Sequence, residues 1–428
     1  MVQKMRKMKD SGIEWIGEIP EGWEVSQLKY ATRWKSEKGC PDAPVLSLYR
    51  DFGVVPKDSR DDNHNVTSLD TSNYKVVDIG DLVINKMKAW QGSMAVSDYR
   101  GIVSPAYHVC SITSSKINKR YLHHLLRNPA YLPEYARLST GMRIGQWDLG
   151  FDDFKNIPFL IPPLDEQAKI ADYLDNGCAS LNAMHSKTRS SIEEYKKLKQ
   201  AVITQAVTKG VRGEREMKDS GVEWIGKIPE EWNKCKLKNI SIDIGDGLHG
   251  TPKFDDSGEV YFINGNNFSG EYVEPKFDTK KLCLEESLNY PKPELTEQTI
   301  MISLNGSYGK VCLYRYFPML LGKSAGYITL LPSINRRYVR YYLSSTPAQI
   351  IMTLSLNGTT IPNLSLNTLY NFPTILPPAS EQAEIADYLD AKCAEIDKLI
   401  AKKEQLVKEL ESYKKSLIYE VVTGKREV

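Results

Sequence analysis

The sequence lacks any long apolar run. No stretch approaches the roughly 20 apolar residues that span a bilayer, and the basic segment Met1–Asp10 lacks the apolar run of a signal peptide. The seven cysteines are scattered, without close pairs or a Cys-x-x-Cys zinc pattern. The sequence therefore predicts a cytoplasmic protein with reduced thiols and no membrane partner.

A strong net charge is also missing. Lys and Arg number 56 against 54 Asp and Glu, which leaves a formal net charge of +2. Such a chain is not a purely electrostatic binder of nucleic acid, so any contact with DNA must come from local patches and shaped loops. At roughly 100–200 residues per domain, the 428 residues allow two to four domains.

Catalytic and cofactor motifs are absent or poorly supported. The stretch Gly245–Gly250 matches G-x-G-x-x-G, but Thr251 and Pro252 argue against the helix that a dinucleotide or S-adenosylmethionine site needs next. Gly306–Lys310 lacks the spacing and hydroxyl of a P-loop. The pair His123–His124 and the cluster 58–64 are more typical of a helix surface and an exposed loop than of metal sites. We therefore predict no catalytic centre, metal site or cofactor in this chain.

An internal repeat is the most informative feature of the sequence. Residues 8–29 (MKDSGIEWIGEIPEGWEVSQLK) return at 217–238 as MKDSGVEWIGKIPEEWNKCKLK, an offset of 209 residues. Residues 161–175 return at 376–390, an offset of 215. The inserts between these markers share little sequence. A repeated frame with unlike inserts indicates two units that perform different versions of one task.

Two long helices are expected after the proline pairs Pro162–Pro163 and Pro377–Pro378. Asp165 and Ser380 are suitable N-caps, and each proline-free run that follows allows a helix of about 43 residues. Apolar residues recur with heptad spacing in the same phase in both helices. This pattern predicts an antiparallel coiled coil that holds the inserts at opposite ends, while two independent amphipathic helices are the alternative. The predicted seam comprises Leu174, Cys178, Leu181, Ile192, Tyr195, Val202 and Ala206, with Leu389, Cys393, Ile396, Ile400, Val407, Leu410, Leu417 and Val421.

Polar residues interrupt this seam, and such breaks fix the register of a coiled coil. They are His185, Thr188, Lys199, Lys403 and Lys414. Each helix ends in a similar Val-Thr segment with Lys and Gly, and after the first a short linker leads into the next MKDSG segment. The chain thus has the order of a circle cut once, and its two ends should lie near each other.

Each insert is long enough for one domain of mixed α and β structure. Polar loops in both inserts carry basic, amide and aromatic side chains that suit base edges and phosphates, although for any single residue a solvated turn is the alternative. In the first insert the candidates for DNA binding are Lys86, Lys88, Trp90, Gln91, Arg143 and Gln146. In the second they are His249, Thr251, Lys253, Asn264, Asn266, Asn267, Asn305, Ser307, Tyr308, Lys310, Asn357, Thr359 and Thr360.

These features resemble the specificity subunits of type I restriction–modification systems over essentially the whole chain. The proline pair followed by Glu-Gln at 162–167 and 377–382 resembles the frame of that family, as do the Trp-Ile-Gly-x-Ile-Pro segments that begin at Trp15 and Trp224. The segments 305–309 and 360–365 resemble its recognition domains.

The resemblance implies an α+β fold in which two α/β target recognition domains are separated by two long antiparallel coiled-coil helices, pseudo-two-fold and circularly organised. The implied domains are an N-terminal segment with recognition domain 1 (1–162), a central spacer helix (163–210), a linker with recognition domain 2 (211–377) and a C-terminal spacer helix (378–428).

The function implied by the resemblance is to read a bipartite, asymmetric site in double-stranded DNA without catalysis. The helices would dock two modification (methyltransferase) subunits, and restriction subunits would join the complex. S-adenosylmethionine, ATP and Mg would be bound by those partners. One alternative is a non-catalytic coiled-coil adaptor whose inserts bind proteins. Another is a duplicated nuclease or methyltransferase, for which the sequence lacks a metal cluster or a well-supported cofactor loop.

Overall fold

The computed structural model describes residues 6–50, 52–59, 67–68, 70–141, 147–356 and 362–428. The chain divides into two compact units, each with its own hydrophobic core. Unit 1 comprises Met1–Arg189 together with Gln405–Val428, and unit 2 comprises Ser190–Glu404. Among the described residues, no helix combines the length and the apolar character needed to cross a membrane.

Unit 1 is built around an antiparallel four-stranded sheet of order β4-β11-β8-β9. Its strands are β1 (Met8–Asp10), β2 (Glu18–Pro20), β3 (Glu24–Gln27), β4 (Thr32–Lys35), β5 (Leu46–Tyr49), β6 (Gly53–Pro56), β7 (Lys75–Val77), β8 (Asp81–Asn85), β9 (Met94–Val96), β10 (Gly101–Val103), β11 (Tyr107–Ile112), β12 (Ser139–Thr140), β13 (Asp148–Leu149) and β14 (Pro158–Ile161). Its short helices are α1 (Lys119–Leu126), α2 (Leu132–Leu138) and α3 (Phe151–Phe154). The long helix α4 (Leu164–Lys209) begins in this unit.

Unit 2 contains an antiparallel sheet of order β18-β24-β21-β22. Its strands are β15 (Met217–Asp219), β16 (Lys227–Pro229), β17 (Asn233–Lys236), β18 (Ser241–Asp246), β19 (Val260–Ile263), β20 (Lys281–Leu282), β21 (Thr299–Ser303), β22 (Val311–Leu313), β23 (Met319–Leu321), β24 (Ala325–Leu330) and β25 (Pro373–Leu376). Its helices are α5 (Leu284–Leu288), α6 (Arg336–Ser344), α7 (Thr346–Leu354), α8 (Leu366–Tyr370) and the first part of α9 (Ala379–Val422). A second sheet has the order β20-β19-β23, in which β19 and β23 are parallel.

The two inserts share a fold despite their unlike sequences. In each four-stranded sheet, the strand that comes first in the chain (β4 or β18) pairs with the one that comes last (β11 or β24). That last strand also pairs with one strand of a hairpin (β8–β9 or β21–β22). Helices α1 and α6 follow these sheets, and both begin with an Asn N-cap whose side chain accepts two backbone N–H bonds. The segments Ile117–Tyr121 (INKRY) and Ile334–Tyr338 (INRRY) therefore form a third repeated marker, inside the inserts.

The Glu-Gln pair at the start of α4 anchors the frame of unit 1. Glu166 accepts hydrogen bonds from the Arg6 guanidinium at 2.5 and 2.7 Å and from the Trp23 indole at 3.1 Å. Gln167 is buried, accepts the backbone N–H of Asn118 at 2.8 Å and donates to two backbone carbonyls. One carboxylate thus holds the N-terminal segment on the helix, and one amide holds the cap of α1.

Unit 2 repeats this anchor with different burial. Glu381, which is fully buried, accepts from Arg215 at 2.5 Å and from the Trp232 indole at 2.9 Å. Gln382 accepts the backbone N–H of Asn335 at 2.9 Å. The same two side chains thus fix the frame segment and the cap of the insert helix in both units, which explains why the Glu-Gln pair recurs.

An ion pair about two turns further along each long helix adds a second link to the insert. In unit 1, Arg120 of α1 pairs with Asp175 of α4, and in unit 2, Arg337 of α6 pairs with Asp390 of α9. Partial burial opposes ionisation of Asp175, but hydrogen bonds from His124 and Arg120 outweigh burial and lower the pKa of this carboxyl to about 2. Each insert helix is therefore tied to a long helix at its cap and through its basic side chain.

The long helices contain 46 and 44 residues, close to the expected length, and they pair antiparallel within each unit. In unit 1, Lys414 donates to Asn182 at 2.8 Å and His185 lies 3.1 Å from Glu411. Residue numbers along α9 therefore decrease as those along α4 increase, which is the antiparallel arrangement. In unit 2, the Lys199 ammonium lies 2.6 Å from Asp397, and Lys403 lies over the ring of Tyr195. Several of the polar residues predicted to interrupt the seam thus contact the other helix.

Most predicted seam residues are buried. Leu174, Ile192, Ala206, Leu389, Cys393, Ile396, Val407, Leu417 and Val421 are buried. Cys178, Leu181, Tyr195, Val202, Ile400 and Leu410 are half-buried. Thr188 is also buried, and its hydroxyl donates to the backbone of its own helix at 2.8 Å.

The last residues of the chain pack against its N-terminal segment, as the circular order predicts. The Lys425 ammonium donates to the Ile16 carbonyl at 2.7 Å. A side chain at Gly424 would lie 2.4 Å from Pro20, so this contact requires glycine. The segment 8–29 therefore packs against the end of α9, as expected from the repeat, in which the equivalent segment 217–238 follows the end of α4.

Candidate nucleic-acid interface

In unit 1, three segments meet at one end of the four-stranded sheet. The loop 86–92 connects β8 to β9, and the Lys86 N–H donates to the Ala106 carbonyl at 3.3 Å. The Leu149 N–H donates to the Lys86 carbonyl at 3.0 Å, and the Lys86 ammonium pairs with Asp148 at 3.0 Å. The loop 86–92, the turn 104–107 and the segment 147–149 therefore form one continuous polar surface.

The predicted residues of unit 1 have different roles on this surface. Lys88 is exposed and Gln91 is half-buried. Lys86 is engaged with Asp148, and the Trp90 ring packs edge-on against Trp147 with centroids 5.0 Å apart. Lys86 and Trp90 thus shape the loop, while Lys88 is open to a ligand. Arg143 and Gln146 lie outside the described residues.

Beneath this loop lies a buried polar cluster that the sequence analysis did not find. Lys75 donates to the carbonyls of Pro105 and Tyr107 at 3.4 and 2.5 Å, and its ammonium lies over the ring of Trp34. Burial, assisted by Lys86 and another nearby lysine, lowers the pKa of Lys75. All three residues of β7 are buried, and nothing in the sequence around Lys75 indicated that its side chain holds the turn 104–107.

Three buried polar atoms in this cluster have no partner within the described ranges. Burial lowers the pKa of His108, so its ring is neutral and Nε2–H donates to the Leu149 carbonyl at 3.1 Å. The remaining Nδ1 is therefore an unpaired acceptor, and Trp90 Nε1 and Asp148 Oδ1 are also unpaired. Each such atom costs about 1–3 kcal/mol when it has no partner, and an ordered water, an ion or a functional role is the usual explanation for one in a native protein.

In unit 2, backbone bonds join a corresponding set of loops at one end of the sheets. Leu248 N–H donates to the Leu321 carbonyl at 2.7 Å, and Leu304 N–H donates to the Ser324 carbonyl at 3.0 Å. Gly265 N–H donates to the Ser324 hydroxyl at 3.0 Å. A Cβ at Gly247 would lie 2.3 Å from the backbone of Leu321, so the loops approach closely because that residue is glycine.

Most predicted residues of unit 2 lie on this joined surface. His249, Thr251, Lys253, Asn266, Ser307 and Lys310 are exposed, and Asn264, Asn305 and Tyr308 are half-buried. The exposed Lys323 belongs to the same surface. It could not be predicted from the sequence, because its turn carries no motif that indicates binding. Asn357, Thr359 and Thr360 lie outside the described residues.

Asn267 requires a correction. It is 4 % exposed, its amide N–H₂ donates to the Thr279 hydroxyl at 2.7 Å, and its carbonyl oxygen accepts the Asn264 N–H at 3.1 Å. The side chain therefore fixes the loop 264–267 instead of offering its amide to a ligand. Two asparagines three residues apart form a local capping arrangement, which explains the error.

No group of three or more His, Cys, Asp or Glu side chains within the described ranges is placed to hold a metal ion.

The fold and these two surfaces define a protein made of two related recognition units on one repeated helical frame. The model of the family described as "Type I restriction modification DNA specificity domain" matches residues 20–194 and again 229–409. The chain belongs to this family and is a type I restriction–modification specificity subunit, as the sequence resemblance predicted.

Named relatives match over nearly the whole chain. The putative type I restriction enzyme MjaX specificity subunit of Methanocaldococcus jannaschii is 26 % identical over 96 % of this chain and 95 % of its own length. The MjaVIII specificity subunit of the same organism is 29 % identical, with 95 % and 93 % covered. The EcoBI specificity subunit of Escherichia coli is 24 % identical over 68 % of this chain and 62 % of its own length.

Two solved structures have the same fold. A chain in a structure that describes complex assembly and conformational transition of the type I R-M system aligns with a TM-score of 0.73, at 16 % identity, covering 95 % of this chain and 99 % of that one. The HsdS subunit from Thermoanaerobacter tengcongensis aligns with a TM-score of 0.54, also at 16 % identity, covering 95 % and 98 %.

Proposed function

We propose that this specificity subunit reads a bipartite, asymmetric DNA site, with one half recognised by each unit, and that it docks methyltransferase subunits on its long helices. One observation carries the proposal: the anchors of the two units are the same, whereas the loops at the ends of their sheets carry different side chains. A shared frame gives each loop set an equivalent place, and unlike side chains give each set its own base preference.

The contrast is clearest in the hairpin loop that joins β8 to β9 in unit 1 and β21 to β22 in unit 2. In unit 1, residues 86–92 read KMKAWQG, and in unit 2, residues 304–310 read LNGSYGK. The first presents lysine beside tryptophan, and the second presents amide, hydroxyl and lysine groups from a glycine-rich backbone. Arg, Lys, Asn and Gln are the side chains that pair with base edges, and different sets select different bases.

Exposed apolar side chains on the helices support docking of protein partners. Tyr173 and Tyr388 are 38 % and 40 % exposed, and Leu198 and Tyr413 are 48 % and 50 % exposed. Each pair is related by the 215-residue offset of the repeat. Scattered apolar residues are ordinary on a surface, but repetition of the same exposed positions suits two copies of one partner.

In this proposal the chain itself is not catalytic. The methyltransferase subunits bind S-adenosylmethionine and modify adenine in each half-site, and restriction subunits supply the ATP- and Mg-dependent activities. The complex works in the cytoplasm.

The test is base-resolution mapping of methylated adenines in DNA from cells that express the chain with and without its modification subunit. We expect a split motif with two unlike halves, present only when both chains are expressed. Two identical half-sites would contradict the asymmetric reading. Absence of new methylation from an assembled complex would favour a protein-binding adaptor instead.

Paired loop variants sharpen this test. Lys88→Ala with Gln91→Ala changes one exposed and one half-buried group of unit 1, and Ser307→Ala with Lys310→Ala changes two exposed groups of unit 2. We expect each double variant to relax or weaken one half of the motif and to leave the other half unchanged. The two variants serve as controls for each other, since a general loss of folding would affect both halves.

A further inference from the structure

Unit 2 carries an aromatic side chain in full contact with solvent on a basic turn. Phe277 has 109 % of its reference area exposed, so its ring contributes no packing to the fold. Lys276 and Lys280 are exposed on either side of it, and Asp278 is the acidic residue of this turn. Single exposed apolar side chains are ordinary on a surface, but this turn combines a fully exposed ring with two exposed lysines.

The turn that carries Phe277 is held in place by hydrogen bonds. Thr279 N–H donates to the Lys276 carbonyl at 3.0 Å, which closes the turn, and the Thr279 hydroxyl accepts the Lys276 N–H at 2.7 Å. The Phe262 N–H donates to the Lys280 carbonyl at 2.9 Å and continues the ladder of β19 and β20. The ring is therefore presented from a fixed backbone, which reduces the entropy lost when a partner binds.

This turn belongs to the same end of unit 2 as the candidate DNA-binding loops. The turn comes just before β20 in the chain. The strand that pairs with β20 in the sheet is β19, which ends just before the loop 264–267. The Asn267 amide donates to the Thr279 hydroxyl at 2.7 Å and joins that loop to the turn. On the other side of β19, β23 is followed by Gly322, whose N–H donates to the Ile263 carbonyl at 2.8 Å. The turn 276–280 thus extends the loop surface by one further strand.

We propose that Phe277 is an apolar wedge that enters duplex DNA at a base step beside the half-site read by unit 2, while Lys276 and Lys280 contact the flanking phosphates. This inference rests on the proposed function. Phe is among the residues that proteins insert between base steps, where it partly unstacks them, and lysine side chains contact phosphates. The continuity with the DNA-facing loops and the flanking cations favour DNA over a protein partner.

The experiment uses the full chain in complex with its modification subunit and a duplex that contains the mapped methylation motif. 2-Aminopurine, which brightens when it is unstacked, is placed at successive positions in and beside the unit 2 half-site. We expect brightening at one position with the natural chain and its loss with Phe277→Ala. Affinity should fall about tenfold, within the range for base–aromatic stacking, whereas Phe277→Trp should retain both properties.

Tyr316→Ala is the matched control. Tyr316 is 84 % exposed, but it lies between β22 and β23, at the strand ends remote from the loops 304–310 and 322–324. Its removal should change neither the fluorescence nor the affinity. Equal DNA binding and brightening by the natural chain and Phe277→Ala would overturn the wedge alone. Weaker association of Phe277→Ala with the modification subunit at unchanged DNA affinity would identify a protein contact and also overturn it. Failure of the natural complex to bind its own motif would overturn the proposed function itself.

Discussion

Glu381 and Glu166 make equivalent contacts in the two units, but only Glu381 is completely buried. The side chain of Glu166 is 20 % exposed and that of its partner Arg6 is 29 % exposed, compared with 0 % and 13 % for Glu381 and Arg215. Replacing either glutamate with glutamine preserves shape and removes the charge. We expect Glu381→Gln to destabilise unit 2 more than Glu166→Gln destabilises unit 1, because water can replace the lost bonds only in unit 1.

The magnitudes follow from the partners that each substitution leaves behind. Breaking a buried ion pair costs about 3–5 kcal/mol, but Arg215 keeps a second carboxylate, Glu231, at 2.9 Å. A loss of about 2–4 kcal/mol is therefore expected for Glu381→Gln. For the partly exposed Glu166, about 1–2 kcal/mol is expected, the range for a hydrogen bond to a charged group that solvent partly replaces.

The assay must resolve the two units, because a chain with two cores need not unfold in one step. Hydrogen exchange of peptides from 212–232 and 379–390 reports unit 2, and exchange of peptides from 6–23 and 164–175 reports unit 1. A double-mutant cycle of Glu381→Gln with Trp232→Phe should give a coupling energy of about 0.5–3 kcal/mol. Equal losses in the two units, or no coupling, would refute the burial argument.

Three further predictions concern a helix, a carboxyl and a loop contact. Gly177→Ala should stabilise α4 by about 0.5–1 kcal/mol in thermal or urea unfolding, because the added Cβ meets its nearest neighbour at an ordinary 3.5 Å; a loss would mean that the coiled coil cannot accept a methyl group there. Asp175 has a folded pKa of about 2, below the roughly 3.9 of a free carboxyl, so its contribution is complete above about pH 4 and disappears as the pH falls to 2. The stability difference between the natural chain and Asp175→Asn, about 1 kcal/mol for this partly exposed group, should therefore shrink over that interval, and a difference that grows there would contradict the assignment. Gly247→Ala places a Cβ 2.3 Å from the Leu321 backbone. We expect it to weaken methylation by disturbing recognition of the unit 2 half-site only, and unchanged methylation would show that the loops can separate.

The frame could be predicted because each of its signals is local in sequence. Proline pairs end a strand and precede a helix, and heptad spacing indicates a helix with one buried stripe. The helices begin at Leu164 and Ala379, one residue before the predicted N-caps Asp165 and Ser380. These rules gave the two long helices to within a few residues. The reason for the repeated Glu-Gln pair could not be predicted in the same way, because the partners of Glu166 lie 160 and 143 residues away in the chain.

The inserts were harder to predict because their shared fold rests on pairings between distant strands. Within each four-stranded sheet, the strand that comes first in the chain pairs with the one that comes last, and no short-range pattern encodes that contact. The repeated segments INKRY and INRRY are present in the sequence, but five residues are too few to identify a repeat on their own. Asn267 was misassigned because polarity alone does not tell a loop-building amide from a ligand-binding one.

Unit 1 is assembled from both ends of the chain, and this has a consequence for its synthesis. Its core includes Leu417, Val421 and Val422 beside residues of the first half, such as Leu174. The ribosome must therefore translate all of Ser190–Glu404 before the last part of this core exists. Unit 2 is continuous in sequence and can fold first. The N-terminal part of unit 1 then exposes the apolar residues of α4 until Gln405–Val428 has been synthesised. That interval is when chaperones, or premature association with other chains, compete for the same surface.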